Sequence, residues 1–210
     1  DTLGTPIAIT PVGPWRFADL IVDAQHQRLI AVCEEHQEQQ EAENYLATIA
    51  LNDDRASIKK LQAGADFYAY PRLSPDQTRL CWIQWSHPNM PWDSSELCLA
   101  SLSQTGISEP RVIAGSNGDE AIFQPHWSPD SDLYFVSDKT NWWNIYHFDG
   151  SENRPVLALD GEFATPLWQF GMATYDFINT DTIACLWTDK GLWHSGFIDI
   201  TTAQLSPIIS

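Results

Sequence analysis

Positive charge is scarce in this chain of 210 residues: 11 Lys and Arg stand against 28 Asp and Glu, a formal net charge of −17 at pH 7. Such a chain repels polyanions, which excludes nucleic acid and an anionic membrane surface as partners. The plain consequence is solubility; the sharper one is a field that favours cationic substrates or a basic partner. No run of about 18 apolar residues occurs, so no transmembrane helix is expected. No charged-then-apolar leader follows Asp1. The four cysteines, Cys33, Cys81, Cys98 and Cys185, form no C-x-x-C pair, which speaks against a zinc site. Cys33, Cys81 and Cys185 sit in apolar runs, as buried free thiols in a reducing, cytoplasmic setting do. A disulfide between Cys81 and Cys98 across a hairpin stays open. Helical periodicity is also lacking: polar Glu34–Asn44 reads as a long hairpin loop.

What the chain does have is apolar and aromatic content. Hydrophobic residues make up 43%, with ten Trp, nine Phe and six Tyr, enough to build a substantial core and to exclude disorder. These residues repeat. Phe17-Ala-Asp-Leu-Ile-Val-Asp23 precedes Arg28-Leu-Ile-Ala-Val-Cys33. Tyr70-Pro-Arg-Leu-Ser-Pro-Asp76 precedes Arg79-Leu-Cys-Trp-Ile-Gln84, and Gln124-Pro-His-Trp-Ser-Pro-Asp130 precedes Asp132-Leu-Tyr-Phe-Val-Ser137. Each segment is a short apolar strand, an Asp-bearing turn and a second strand. Leu29, Leu80, Leu133 and Ile183 mark the second strands at a period near fifty. In the fourth unit the first strand reads as Ala164-Thr-Pro-Leu-Trp168, with Gly171–Ile178 intervening. In the third unit the strands read as Ile122–Trp127, Leu133–Ser137, Trp143–Phe148 and Pro155–Leu159, separated by turn residues.

The second strands are hydrophobic at odd and even positions alike, as in Leu80-Cys-Trp-Ile-Gln-Trp85. A sheet with one wet face would alternate; burial on both faces requires a sheet between two other sheets. Four-stranded units of this length, buried on both sides, indicate an all-β fold, a β-propeller of about four antiparallel blades. The blades are expected at about 13–62, 63–116, 117–160 and 161–210. Residues 1–12, with Thr5–Thr10 as a strand, match the last strand of a preceding blade, so the chain reads as a fragment of a larger propeller. In the Ser-Pro-Asp turns Gln77 and Ser131 occupy the place where Gly often follows, so these turns must tolerate strain. The turn aspartates read as structural.

No catalytic constellation emerges. Ala114-Gly-Ser-Asn-Gly118 lacks the first Gly of G-x-S-x-G and follows an outer strand, so it reads as a turn. His194 and Ser195 are adjacent and point to opposite faces of a strand. The six histidines show no metal-ligand spacing, Asp130-Ser-Asp132 supplies too few oxygens for calcium, and no cofactor is expected. His126, on an innermost strand, reads as a core histidine before a tunnel residue. Trp142-Trp143 reads as core before a binding platform. Glu34, Glu35, His36, Trp92 and Asp93, at hairpin loops, are the candidates for a substrate or domain interface, against the alternative of solvated acidic loops.

The long runs Gln124–Asp130, Leu133–Asp138 and Asn141-Trp-Trp-Asn-Ile-Tyr146, with His87-Pro-Asn-Met-Pro-Trp-Asp93, Glu96-Leu97 and Glu162–Phe177, resemble the propeller of bacterial acylaminoacyl-peptidase-like and dipeptidyl-aminopeptidase-like enzymes of the prolyl oligopeptidase family. The resemblance spans about residues 15–200. It implies a propeller capping an α/β-hydrolase domain that bears Ser, Asp and His, admitting short peptides and excluding folded proteins. No segment here matches that hydrolase domain, so no triad is carried over. The alternative is a stand-alone propeller scaffold for protein–protein interaction. A fragment of blades leaves apolar faces on its first and last sheets, which makes a homodimer through those faces an expectation as well.

Overall fold

The computed structural model describes residues 8–51, 57–108 and 110–208. These residues form four antiparallel sheets, each a meander of successive strands. The first holds β1 (Trp15–Asp23), β2 (Arg28–Glu35), β3 (Glu43–Ala50) and β4 (Ile58–Gln62). In the second, β5 (Phe67–Leu73), β6 (Arg79–Trp85) and β7 (Glu96–Ser103) are followed by an outer edge in two pieces, β8 (Gly106–Ile107) and β9 (Arg111–Ala114), both paired to β7. The third holds β10 (Ile122–Trp127), β11 (Leu133–Ser137), β12 (Asn144–Phe148) and β13 (Asn153–Pro155). The fourth holds β14 (Tyr175–Asn179), β15 (Thr182–Asp189), β16 (Leu192–Asp199) and β17 (Gln204–Pro207). The chain is all-β, with four propeller blades in sequence order.

Alternation along the second strands explains the stacking. Leu80 and Trp82 point toward the first sheet, where they pack with Ile30, Val32 and Leu46. Cys81 and Ile83, one residue out of phase, point the other way and join Phe123, Phe135 and Tyr146. Trp82 is fully buried. Removing an aromatic side chain of ~200 Å² from water contributes on the order of 5 kcal/mol, so a second strand with two apolar faces holds two neighbours at once. The same phase separates Cys81 from Cys98. Trp82, not Cys81, lies opposite Cys98, so the two thiols face different cores, and all four cysteines are free and buried.

The first strands of neighbouring sheets pack together near the centre. In three of them the ladder breaks at the same place, between Ala18 and Ile21, Ala69 and Arg72, and Phe123 and His126. The residue that turns left-handed is Asp19 (φ 48°), Tyr70 (φ 50°) or Gln124 (φ 45°). Each non-glycine residue in that conformation costs about 1–2 kcal/mol, and each bonds to another unit, which offsets that cost. Asp19 accepts the Tyr70 N–H at 2.7 Å and Arg72 Nη1 at 2.9 Å. Tyr70 Oη donates to the Met172 carbonyl at 2.6 Å. Gln124 accepts the Thr174 N–H at 2.6 Å and donates to the Tyr175 carbonyl at 2.6 Å.

Some sequence expectations need correction. The first strand of the fourth sheet is Tyr175–Asn179, not Ala164–Trp168. Residues 164–168 carry no strand, because the bonds at Thr174 and Tyr175 bring the later segment beside Gln124. The outer strand of the third sheet is Asn153–Pro155, earlier than Pro155–Leu159, because Asn144 turns the chain by holding Leu159 through its side chain. Trp142 is 38% exposed rather than core, while Trp143 packs on the core. Of the strand expected at Thr5–Thr10, residues 5–7 lie outside the described residues, as does most of residues 1–12, and residues 8–10 carry no strand.

The Ser-Pro-Asp turns carry the strain foreseen for them: Gln77 has φ 55° and Ser131 φ 69°, and Gln27 matches them at φ 53°. Gln77 offsets its cost by accepting the Gln25 N–H at 2.9 Å through its side chain. Among the described residues Ser131 bonds through its backbone alone, its carbonyl accepting Arg79 Nη2 at 2.6 Å. Ser131→Gly is therefore expected to stabilise the fold by about 0.5 kcal/mol, because relief of the left-handed strain exceeds the extra entropy of an unfolded glycine. A higher urea midpoint at unchanged m-value would verify it.

Candidate functional site

An antiparallel meander puts its connections on two opposite faces. One face carries the turns within the first pair of strands, such as 24–27 and 74–78. The other carries the loops between second and third strands, 36–42, 86–95 and 138–143, and the links from sheet to sheet. Glu34, Glu35, His36, Trp92 and Asp93 all fall on this loop face, but not at one point.

Glu34 and His36 lie at the end of β2, with His36 Nε2 3.3 Å from Glu34 Oε2. They line a cleft of about 530 Å³ with Glu43, Asp66, Phe67 and His87. Glu35 turns away: it accepts Tyr45 Oη at 2.8 Å, and Lys60 lies 2.6 Å from Glu43 and 3.9 Å from Glu35. A second cleft of about 610 Å³ adjoins the first through Gly64, Ala65 and His87, and is bounded by Trp85, Glu96 and the Gly115–Gly118 turn. Gly115, at φ 82°, has no room for a Cβ, which would sit 2.0 Å from the Ser95 carbonyl oxygen. That contact seats the 115–118 turn as a wall of the cleft, and the turn follows an outer antiparallel strand rather than joining a parallel strand to a helix as a nucleophile elbow does.

Trp92 is elsewhere on the face. Its ring lies 4.4 Å from that of Trp168, at 47°. Trp168, on the link between the third and fourth sheets, is 74% exposed. Sequence reasoning placed Trp168 in a strand and so missed this partner. Asp93 has a local role, accepting the Met90 N–H at 2.9 Å within its own loop. His126 sits between sheets, with Nε2 3.0 Å from Asp176 and its ring stacked on Phe177.

A further set of carboxylates orders the loop face. Asp66 accepts the His87 N–H at 2.9 Å, Glu120 accepts Gly115 N–H and Ser137 Oγ, and Glu162 accepts the Trp143 N–H at 2.9 Å. All three precede or enter a sheet, a position that turn motifs do not flag. Burial pushes the Cys81, Cys98 and Cys185 thiols up to about 12, which keeps them protonated and unreactive. His194 and Ser195 lie on opposite sides of β16, opposite Trp187 and Leu186.

No family model and no curated protein matches the chain. Solved structures do. A puromycin hydrolase is 29% identical over 98% of this chain, at a TM-score of 0.88. A puromycin-hydrolyzing peptidase of Mycobacterium tuberculosis is 31% identical over 97%, at 0.87. Prolyl oligopeptidase B from Galerina marginata, 12% identical over 94% and 28% of its own length, shares the fold at 0.69. The chain spans about a third of the length of the two puromycin-hydrolysing proteins, 33% of each. In fold it matches a propeller fragment of a prolyl oligopeptidase-family peptidase.

Asp138 offers a test of the electrostatics of this face. Burial, with Glu120 and Glu162 nearby, raises its pKa above the usual carboxylate value, against the N–H of Ala121 that it accepts at 2.8 Å. A carboxyl whose folded pKa is raised binds its proton more tightly in the native state. Stability therefore falls as pH rises from the unfolded value through the folded one. Asp138→Asn keeps an acceptor for Ala121 and removes the charge. It is expected to flatten that acidic-range decline and to leave the protein no less stable at pH 7, as read from urea midpoints between pH 3 and 7.

Proposed function

We propose that this chain is the non-catalytic, substrate-gating propeller of a serine peptidase that hydrolyses short peptides, of the acylaminoacyl-peptidase-like or dipeptidyl-aminopeptidase-like kind. The observation that carries the reading is the 31% identity, maintained over 97% of the chain, to a peptidase three times its length. Among the described residues the thiols are buried, His194 and Ser195 point to opposite sides of β16, and the 115–118 turn follows an outer strand, all of which support this reading. On this reading the loop face, with Glu34, Glu35, His36, Trp92 and Asp93, turns toward a hydrolase domain or its peptide substrate. Its acidic cleft suits cationic peptide groups. Four unpaired, buried cysteines support a reducing compartment such as the cytoplasm.

The chain alone is expected to cleave neither aminoacyl nor acyl-aminoacyl chromogenic amides. Turnover that survives rigorous purification and is blocked by a serine-reactive fluorophosphonate would overturn this. A G-x-S-x-G encoded beyond Ser210, followed by Asp and His in that order, would support the peptidase over a stand-alone scaffold.

The fourth sheet also bears on partners. Its outer face exposes Leu186, Phe197 and Ile208 around a hollow of about 400 Å³, with Trp193 54% exposed on the same sheet. The first sheet's outer face is better closed, Cys33, Tyr45 and Ala47 packing with Trp15, Phe17 and Ile58. Apolar patches of this kind seek cover. We propose that the 23.7 kDa chain self-associates through the fourth sheet as a homodimer when nothing else covers it. Light scattering is expected to show a concentration-dependent dimer that Phe197→Lys dissolves; a monomer at every concentration would exclude it.

A further inference from the structure

The turn face, opposite the candidate surface, holds a cavity of about 590 Å³ between the first and second sheets. Its charged lining runs against the rest of the chain. Among the described residues His26, Arg28, Lys59 and Lys60 contribute to the wall and no Asp or Glu does, in a protein of net charge −17.

The cations are of different kinds. Arg28 is held in place: its Nε donates to Asp23 at 2.7 Å, and its Nη2 and Nη1 donate to the carbonyls of Ser103 and Gln104 at 2.8 and 3.3 Å. His26 is fixed through Nδ1, 2.8 Å from the same carboxylate. Its side chain is 8% exposed, and that of Arg28 9%. Asp23, fully buried behind them, thus orients both groups. Lys60 lines the cavity but turns its ammonium to Glu43, 2.6 Å away. Lys59, its neighbour on β4, points to the opposite side, where it is the cross-strand partner of Thr48. Among the described residues Lys59 makes no ion pair. An ammonium unpaired among the described residues, an anchored guanidinium, an anchored imidazole and a threonine hydroxyl therefore meet in one recess. Leu61 and Ile107 supply apolar wall beside them.

These donors match a phosphate group: a guanidinium and an ammonium for the charge, with imidazole and hydroxyl for the remaining oxygens. The volume exceeds what a bare ion fills and falls within the range of about 300–1,000 Å³ for small-molecule sites. We propose that this cavity binds the phosphate of a small phosphomonoester, a site independent of the peptidase reading.

The test is calorimetric titration of the full chain with inorganic phosphate and with phenyl phosphate, at pH 7 and constant ionic strength. Both are expected to bind saturably at one site, phenyl phosphate more tightly because its ring covers Leu61 and Ile107. Lys59→Glu is expected to weaken binding at least about tenfold, and Lys59→Arg to retain it. Arg154→Glu, at an exposed cation on the third sheet beside Asp149, is expected to leave it unchanged. No saturable binding, or equal losses in Lys59→Glu and Arg154→Glu, would overturn the site. Binding of inorganic phosphate alone would overturn the phosphomonoester. Should circular dichroism show Lys59→Glu unfolded, Lys59→Gln carries the same comparison, since it removes the charge without reversing it.

Discussion

The structure depends on a strained residue near the centre of the molecule. Asp19, Tyr70 and Gln124 each stand at a break in a first strand, in a conformation that L-residues avoid. Each bulge exposes backbone and side-chain groups sideways, toward the next unit rather than along its own ladder. The bonds so formed, Asp19 to Tyr70 and Arg72, and Gln124 to Thr174 and Tyr175, run between sheets. Sheet-on-sheet packing is otherwise apolar and non-directional. These bonds fix how far each sheet can slide on its neighbour, and thereby where every loop on the two faces lies.

Double-sided burial and the central bulge reinforce each other. Trp82 and Ile83, adjacent in sequence, belong to different cores. A slip of one residue in β6 would exchange them and disturb two interfaces together. The strained positions tolerate their cost because the packing on either side is worth several kcal/mol per aromatic residue. Trp127 links the two devices, its indole N–H donating to the Arg72 carbonyl at 3.0 Å while its ring lies under Arg79.

Blade count, sheet pairing and the strained turns were legible in the sequence because each rests on a local pattern. Two-sided hydrophobicity marks β6 and β11, and the missing Gly after Ser-Pro-Asp marks Gln77 and Ser131. The fourth unit was misread where a long-range bond decides. Ala164–Trp168 has a strand-like composition, yet Tyr175 takes the place beside Gln124 because the Gln124 amide reaches Thr174 and Tyr175. No local pattern near residue 164 reports on a partner 50 residues away. The loop-face candidates show the same division. Hairpin position located Glu34, His36 and Trp92 on one face. It gave no indication that Glu34 would meet Glu43 and Asp66 in a cleft, or that Trp92 would find Trp168.

Charge is then distributed by face rather than evenly. On the loop face carboxylates serve as backbone acceptors, as Asp66, Glu120 and Glu162 do, and they leave an acidic cleft beside them. On the turn face Asp23 is withdrawn into the interior, where it aligns Arg28 and His26, both of which line the cavity. Burying a carboxylate is tolerable only with such partners, because an unpaired buried charge is strongly unfavourable. The same residue type therefore serves as an exposed backbone acceptor on one side and as a buried anchor on the other. On the two proposals made above, a peptide carrying positive charge and a ligand carrying phosphate would meet different faces of one molecule, and the central bonds that set the sheets hold both faces in register.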